Sequence, residues 1–264
     1  MRMRRPAAVA ALLVCGLLGA GAASATDLAA HRALYELKLD DSHPGDVAAA
    51  IGTMAYEVQD VCDGWATNQR LQMTVTNRDG QDVQMLSDYT TWESKDGLKL
   101  RFRMRQTTDQ AVNSDVEGEA ELKGPGQAGT AHFTSPSDST KPLPAGTVFP
   151  MKHTEALLAA ARAGKHFITL PLFDGTTPTG VQHSSIVIGG WSPAPQGKWP
   201  ALRKLASGRF HIAFFDPEPD KPEPDYEVSM RYWDNGVADD LSMNFGDFVM
   251  LGRLAEFKLL SKGC

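Results

Sequence analysis

Leu98-Lys99-Leu100-Arg101-Phe102-Arg103-Met104-Arg105 alternates apolar and cationic residues without a break. In an extended chain successive side chains point to opposite faces, so Leu98, Leu100, Phe102 and Met104 share one face and the four cations share the other. A helix would mix the two sets around its circumference. The stretch therefore predicts a strand buried on one side. Downstream, Glu117, Glu119 and Glu121 repeat the same spacing with the opposite charge. In an antiparallel hairpin this acidic row falls opposite the basic one. Charge pairing accounts for both rows more simply than a cationic ligand-binding stripe does.

Outward from this hairpin the same two-residue period recurs along most of the chain. Strands are predicted at 33–39, 54–62, 70–76, 83–93, 128–134, 166–172, 181–188, 209–215, 226–233, 240–245 and 253–260. The pairs Asp63-Gly64, Asp79-Gly80, Asp96-Gly97, Asp174-Gly175 and Asn235-Gly236 are turn signals between them. Short strands joined by tight turns predict an all-β, antiparallel fold and argue against βαβ units. One segment departs from the pattern. Pro150 followed by Met151-Lys152-His153-Thr154-Glu155 and an Ala/Leu run ending at Gly164 predicts a single helix over about 150–163, with proline at its first turn and glycine at its stop. Pro136 to Gly146 and Asp216 to Asp225 read as surface loops. Neither marks a domain boundary, so residues 26–264 are expected to form one domain.

The chain has 264 residues, 42% of them hydrophobic and 22% charged, which is enough apolar material for a core. Its formal net charge of −6 lacks the broad cationic surface that DNA or RNA binding requires. Residues 1–25 read as a cleaved secretory signal peptide. Arg2, Arg4 and Arg5 precede an apolar stretch from Ala7 to Ala20, and Ala23-Ser24-Ala25 supplies the cleavage site. No later segment is apolar for long enough to span a bilayer, so the exported chain is expected to be soluble and not membrane-spanning. Val14 before Cys15 argues against a lipid anchor. Cleavage removes Cys15 and leaves Cys62 and Cys264 in an oxidising compartment, where an even count favours a disulfide over two thiols.

No recognised catalytic pattern is present. The chain lacks a Gly-x-Ser-x-Gly elbow, a His-Glu-x-x-His helix, a phosphate-binding loop and a dinucleotide fingerprint. Its seven histidines stand singly, so no metal site and no cofactor are expected. His153, in the first turn of the predicted helix, reads as a partly exposed residue bonded to nearby backbone rather than a catalytic base. Asp174 and Asp216 read as turn and strand-end residues. The run Glu218, Asp220, Glu223 and Asp225 lacks the ligand order of a calcium loop. Trp65, Trp92, Trp191, Trp199 and Trp233 are candidates for the core or for an apolar groove.

Several short motifs fall in one order along the chain. They are His31-Arg32-Ala33-x-Tyr35, Tyr56-Glu57, Cys62-Asp63-Gly64, Leu143-Pro144-Ala145-Gly146-Thr147-Val148-Phe149-Pro150-x-x-His153-Thr154, Phe173-Asp174-Gly175, Pro224-Asp225-Tyr226-Glu227, Asn235-Gly236-Val237, Gly246-Asp247-Phe248 and the terminal Cys264. In this order they resemble, nearly end to end, the EipB-like family of cell-envelope integrity proteins, exported proteins of alphaproteobacterial type. The resemblance implies a β-spiral, a strongly twisted and incompletely closed antiparallel sheet with one prominent helix, and a disulfide joining Cys62 and Cys264. It also implies a non-enzymatic envelope role. The expected partners are a lipid or a periplasmic protein, among them a tetratricopeptide-repeat protein. No catalytic residues carry over. A monomer is favoured, and a hydrolase or transferase acting on envelope polymers is the alternative.

Overall fold

The computed structural model describes residues 28–43, 45–192, 198–216 and 223–263. Among these, the chain first forms eight strands: β1 (His31–Leu39), β2 (Val47–Asp60), β3 (Gly64–Asn77), β4 (Asp82–Ser94), β5 (Lys99–Thr108), β6 (Ala111–Leu122), β7 (Gly129–Ser135) and β8 (Ser139–Leu143). A helix, α1 (Pro150–Arg162), interrupts them. Six more strands follow: β9 (Phe167–Leu172), β10 (Gln182–Ser192), β11 (Ser207–Phe215), β12 (Tyr226–Trp233), β13 (Ala238–Asn244) and β14 (Val249–Leu259).

All fourteen strands belong to one antiparallel sheet ordered β8-β7-β6-β5-β4-β3-β2-β1-β14-β13-β12-β11-β10-β9. Every neighbouring pair but one is consecutive in sequence and so folds as a local hairpin. The exception is β1 with β14, where His31 pairs with Leu259 and Leu39 with Met250. Two meanders are thereby joined at the chain's ends, and α1 lies in the connection between them. The sheet does not close into a barrel. An isolated parallel bridge runs from Val148, in the connection between β8 and α1, to Leu172 of the edge strand β9. There Val148 N–H donates to Pro171 O at 2.9 Å and Phe173 N–H to Val148 O at 3.0 Å.

The opening hairpin forms as its alternation requires. Leu100 and Phe102 are buried, and Lys99, Arg101, Arg103 and Arg105 pair in register with Glu121, Glu119, Glu117 and Asp115. Arg103 lies 3.2 Å from Glu117 and Arg105 3.2 Å from Asp115, while Arg101 covers the Trp92 ring. The basic row is thus a solvated ion ladder, each rung contributing a few tenths of a kcal/mol to ~1 kcal/mol.

The segment 136–146 departs from its reading as a loop, because it contains β8. Pro142 disguised this strand, yet proline is tolerated in an edge strand, and β8 has a neighbour on one side only. The helix, by contrast, begins and ends where predicted. Gly164, at φ +69°, ends it with paired bonds from Gly164 N–H to Ala161 O and Lys165 N–H to Ala160 O.

Two apolar clusters result. In the larger, Met151, Leu157, Leu158, Ala160 and Ala161 of α1 pack against β1–β3 and β10–β14. In the smaller, Phe102, Phe133 and Phe149 close on Phe173, which the chain after β9 delivers to the curl of β5–β8. Among the described residues no helix is long and apolar enough to cross a membrane.

Candidate functional site

The inward faces of β1, β2, β12 and β13 do not fill the space beneath the first turn of α1. A cavity of about 270 Å³ remains. Strand periodicity decides what borders it. On β1 the inward set is His31, Ala33, Tyr35 and Leu37, and on β2 Met54, Tyr56 and Val58 stand opposite Tyr35, Ala33 and His31. Four of the chain's five tyrosines line the cavity (Tyr35, Tyr56, Tyr226 and Tyr232), together with Met54, Met151, Met230 and Met243. Among the described residues no Asp, Glu, Lys or Arg lines it.

The phenols stay neutral. Burial is the leading cause that pushes all four above the ordinary phenol range. The Tyr35 hydroxyl donates to Ala238 O at 2.9 Å. Bonds with the Thr67 and Thr154 side chains partly offset the shift at Tyr56 and Tyr232, respectively. His31, 3% exposed, borders the same space, and burial holds its pKa below the usual value. The cavity is uncharged, aromatic and lined by adaptable thioethers.

Beside it, the start of α1 is held by a residue from elsewhere in the sheet. Phe149 at the N-cap has no side chain able to accept a hydrogen bond. Glu93 of β4 takes that part, accepting Met151 N–H at 2.7 Å and Lys152 N–H at 3.0 Å. The residue is 1% exposed, and desolvation pushes its pKa up to about 7 against the pull of those two N–H groups.

His153 is buried at 6% exposure, contrary to its reading as a partly exposed helix-start residue. Its Nε2 meets Ser184 Oγ at 2.9 Å, and that hydroxyl donates to Leu170 O. Ser184 therefore receives the proton of Nε2, and the pair pins α1 to β9 and β10. Burial lowers the His153 pKa to about 4. Asp174 Oδ1 accepts the Thr176 amide and hydroxyl in a local turn, and its backbone oxygen accepts Tyr89 O–H at 2.6 Å. Asp216 Oδ1 accepts from Gln182 Nε2 at 2.7 Å. The Asp216 charge acts on Asp174, but His153 belongs to a separate bond chain, and none of the three lines the cavity.

Trp233 is core and Trp65 lies beneath Lys95, so the cavity's aromatic lining comes from the four tyrosines and Phe214 rather than the tryptophans. Among the described residues no group of three or more His, Cys, Asp or Glu gathers as a metal site. The signal segment, Glu218, Asp220 and Cys264 lie outside the described residues. Gly263, which is described, lies so close to the Asp60 carbonyl that an added Cβ would overlap it. Glu93 escaped the sequence reading, although a helix beginning at Phe149 without a cap of its own was a signal that some distant acceptor was needed. The tyrosine lining escaped it too, because which strands face one another across the spiral is not written in local alternation.

A family model described as EipB-like matches residues 22–261. The chain belongs to the EipB-like family. Among its EipB-like relatives, the cell envelope integrity protein EipB of Brucella abortus is 32% identical, the match covering 100% of this chain and 97% of that protein. A crystal structure titled as a beta-barrel-like protein of a domain of unknown function, also from Brucella abortus, superposes with a TM-score of 0.81 at 28% identity. It covers 90% of this chain and 100% of that one. The EipB-like fold is thus the open fourteen-stranded sheet with one helix described above.

Proposed function

We propose that this chain is an exported, non-enzymatic periplasmic protein that supports cell-envelope integrity by holding a lipid, a lipoprotein or a protein partner against the inner face of its curved sheet. The observation that carries this reading is the uncharged cavity bounded by β1, β2, β12, β13 and α1. Such a concave apolar site with a few polar groups suits retention of an apolar ligand. The name of the Brucella abortus relative supports the envelope role. The hydrolase or transferase alternative would need His153, Asp174 and Asp216, whose side chains are committed to helix anchoring, a turn and a strand-end bond. Native mass spectrometry of the protein isolated from the periplasm tests the reading. A bound lipid or protein is expected, and repeated isolation of the bare chain overturns it. The same measurement reports stoichiometry, for which one copy is expected, and the mass of the mature chain, expected to begin at Thr26.

A disulfide between Cys62 and Cys264 belongs to the same proposal. Gly263 packs on Asp60 and Val61, the residues immediately before Cys62, which supports this pairing. The bond would tie the tail to the turn between β2 and β3.

A further inference from the structure

The chemistry of the cavity's polar atoms narrows what it can hold, an inference that rests on the holding role just proposed. His31 Nδ1 lies 2.7 Å from Ala29 O. A carbonyl only accepts, so Nδ1 carries the proton, and in the neutral ring Nε2 is a bare acceptor. No described residue hydrogen-bonds that Nε2. The residue is 3% exposed and borders the cavity, so bulk water serves this acceptor poorly, and in a site that binds something it is an address for a donor. Tyr226, on the same wall, likewise has a hydroxyl with no hydrogen-bond partner among the described residues, and burial is the one cause of its raised pKa.

The remaining lining rules out whole ligand classes. With no ionic side chain among the described residues that border the space, a charged group placed inside would lose its hydration without an ion partner from them. The four methionines favour a flexible chain over a rigid shape. The volume sets its length. An engineered cavity of about 150 Å³ takes one benzene, so about 270 Å³ has room for about ten carbons, which is one chain and not two.

We propose that the cavity binds a single unbranched aliphatic chain of about ten carbons bearing one neutral hydrogen-bond donor, a hydroxyl or an amide N–H, which His31 Nε2 accepts. A hydroxylated lipid chain and the amide-linked chain of an acylated protein share this chemistry. The charged or bulky remainder of either stays outside.

Calorimetric titration of the purified protein with decan-1-ol and with its isomer nonyl methyl ether tests the donor, because the two probes share carbons and oxygen and differ only in the O–H. Decan-1-ol is expected to bind roughly ten-fold more tightly, and His31→Phe to bring the two within about two-fold. Met243→Trp fills the space without touching His31 chemistry and is expected to weaken both probes. Equal binding of the isomers, a preference that survives His31→Phe, binding untouched by Met243→Trp, or no binding of either probe overturns the inference. Solvent extraction of the protein isolated from the periplasm separates the sources, since a lipid is released free and an acylated protein retains its polypeptide. If neither probe binds while a protein partner co-purifies, this inference falls and the holding role stands. If the isolated chain is also bare, both fall.

Discussion

Glu93 accepts the first amides of α1, His153 lies in that helix's first turn, and the two titrate with opposite consequences for stability. Glu93 has a folded pKa of about 7 against an ordinary 4.5, so the folded chain binds its proton more tightly than the unfolded chain. Its contribution is largest below pH 4.5 and declines as pH rises toward 7, by about 3 kcal/mol over that window. His153, at about 4 against 6.5, does the reverse. Its contribution is present above 6.5 and lost as pH falls toward 4. In the wild type the two slopes offset each other between about 4.5 and 6.5. Urea midpoints measured across this range are expected to be nearly flat for the wild type, to fall with rising pH in His153→Gln, and to rise with pH in Glu93→Gln. A flat profile in His153→Gln would mean that the Met151 and Lys152 N–H groups hold Glu93 ionised throughout.

At the scale of elements, α1 owes its boundaries to its own sequence at one end and to the sheet at the other. Gly164 ends it by entering the left-handed region, with open space where a Cβ would stand. Gly164→Ala is therefore expected to cost about 1 kcal/mol, the conformational penalty alone. Gly175, also left-handed at φ +73°, lies against Phe102, whose ring an added Cβ would overlap. Gly175→Ala combines that penalty with overpacking of the Phe102, Phe133 and Phe173 cluster and is expected to cost roughly 2–4 kcal/mol. Chemical denaturation of the two variants side by side checks the contrast. Equal losses would place Phe102 where it yields to the methyl group.

For the molecule as a whole, the critical contact is the seam between β1 and β14. The hairpins form between neighbours, but this pairing brings residue 31 to residue 259 and must close almost the whole chain as a loop. The proposed disulfide lies just beyond that seam and would restrict the same loop in the unfolded state. Cys62→Ser or Cys264→Ser is expected to lower the melting temperature under non-reducing conditions, by at most about 5 kcal/mol of stability in the chain-entropy model, and to have no effect once reductant is present. Identical melting of wild type with and without reductant, after complete reduction, would remove the bond from this account.

How much of this was legible beforehand follows from the range of the interactions involved. Period-two alternation, the Asp-Gly and Asn-Gly turns and the Pro150 to Gly164 frame are local, and local sterics set strands, hairpins and helix where the residues announce them. Even the pairing of Arg103 with Glu117 was readable, because a hairpin carries its register in its own spacing. β8 was missed because edge position, which excuses Pro142, is a property of the sheet and not of the segment. The burial of His153, the capping of Met151 by Glu93, and the meeting of Tyr35, Tyr56 and Tyr226 around one cavity depend on how the two meanders curl about α1. Such contacts join residues far apart in the chain, so their free energy depends on the assembled shape, which no local pattern encodes.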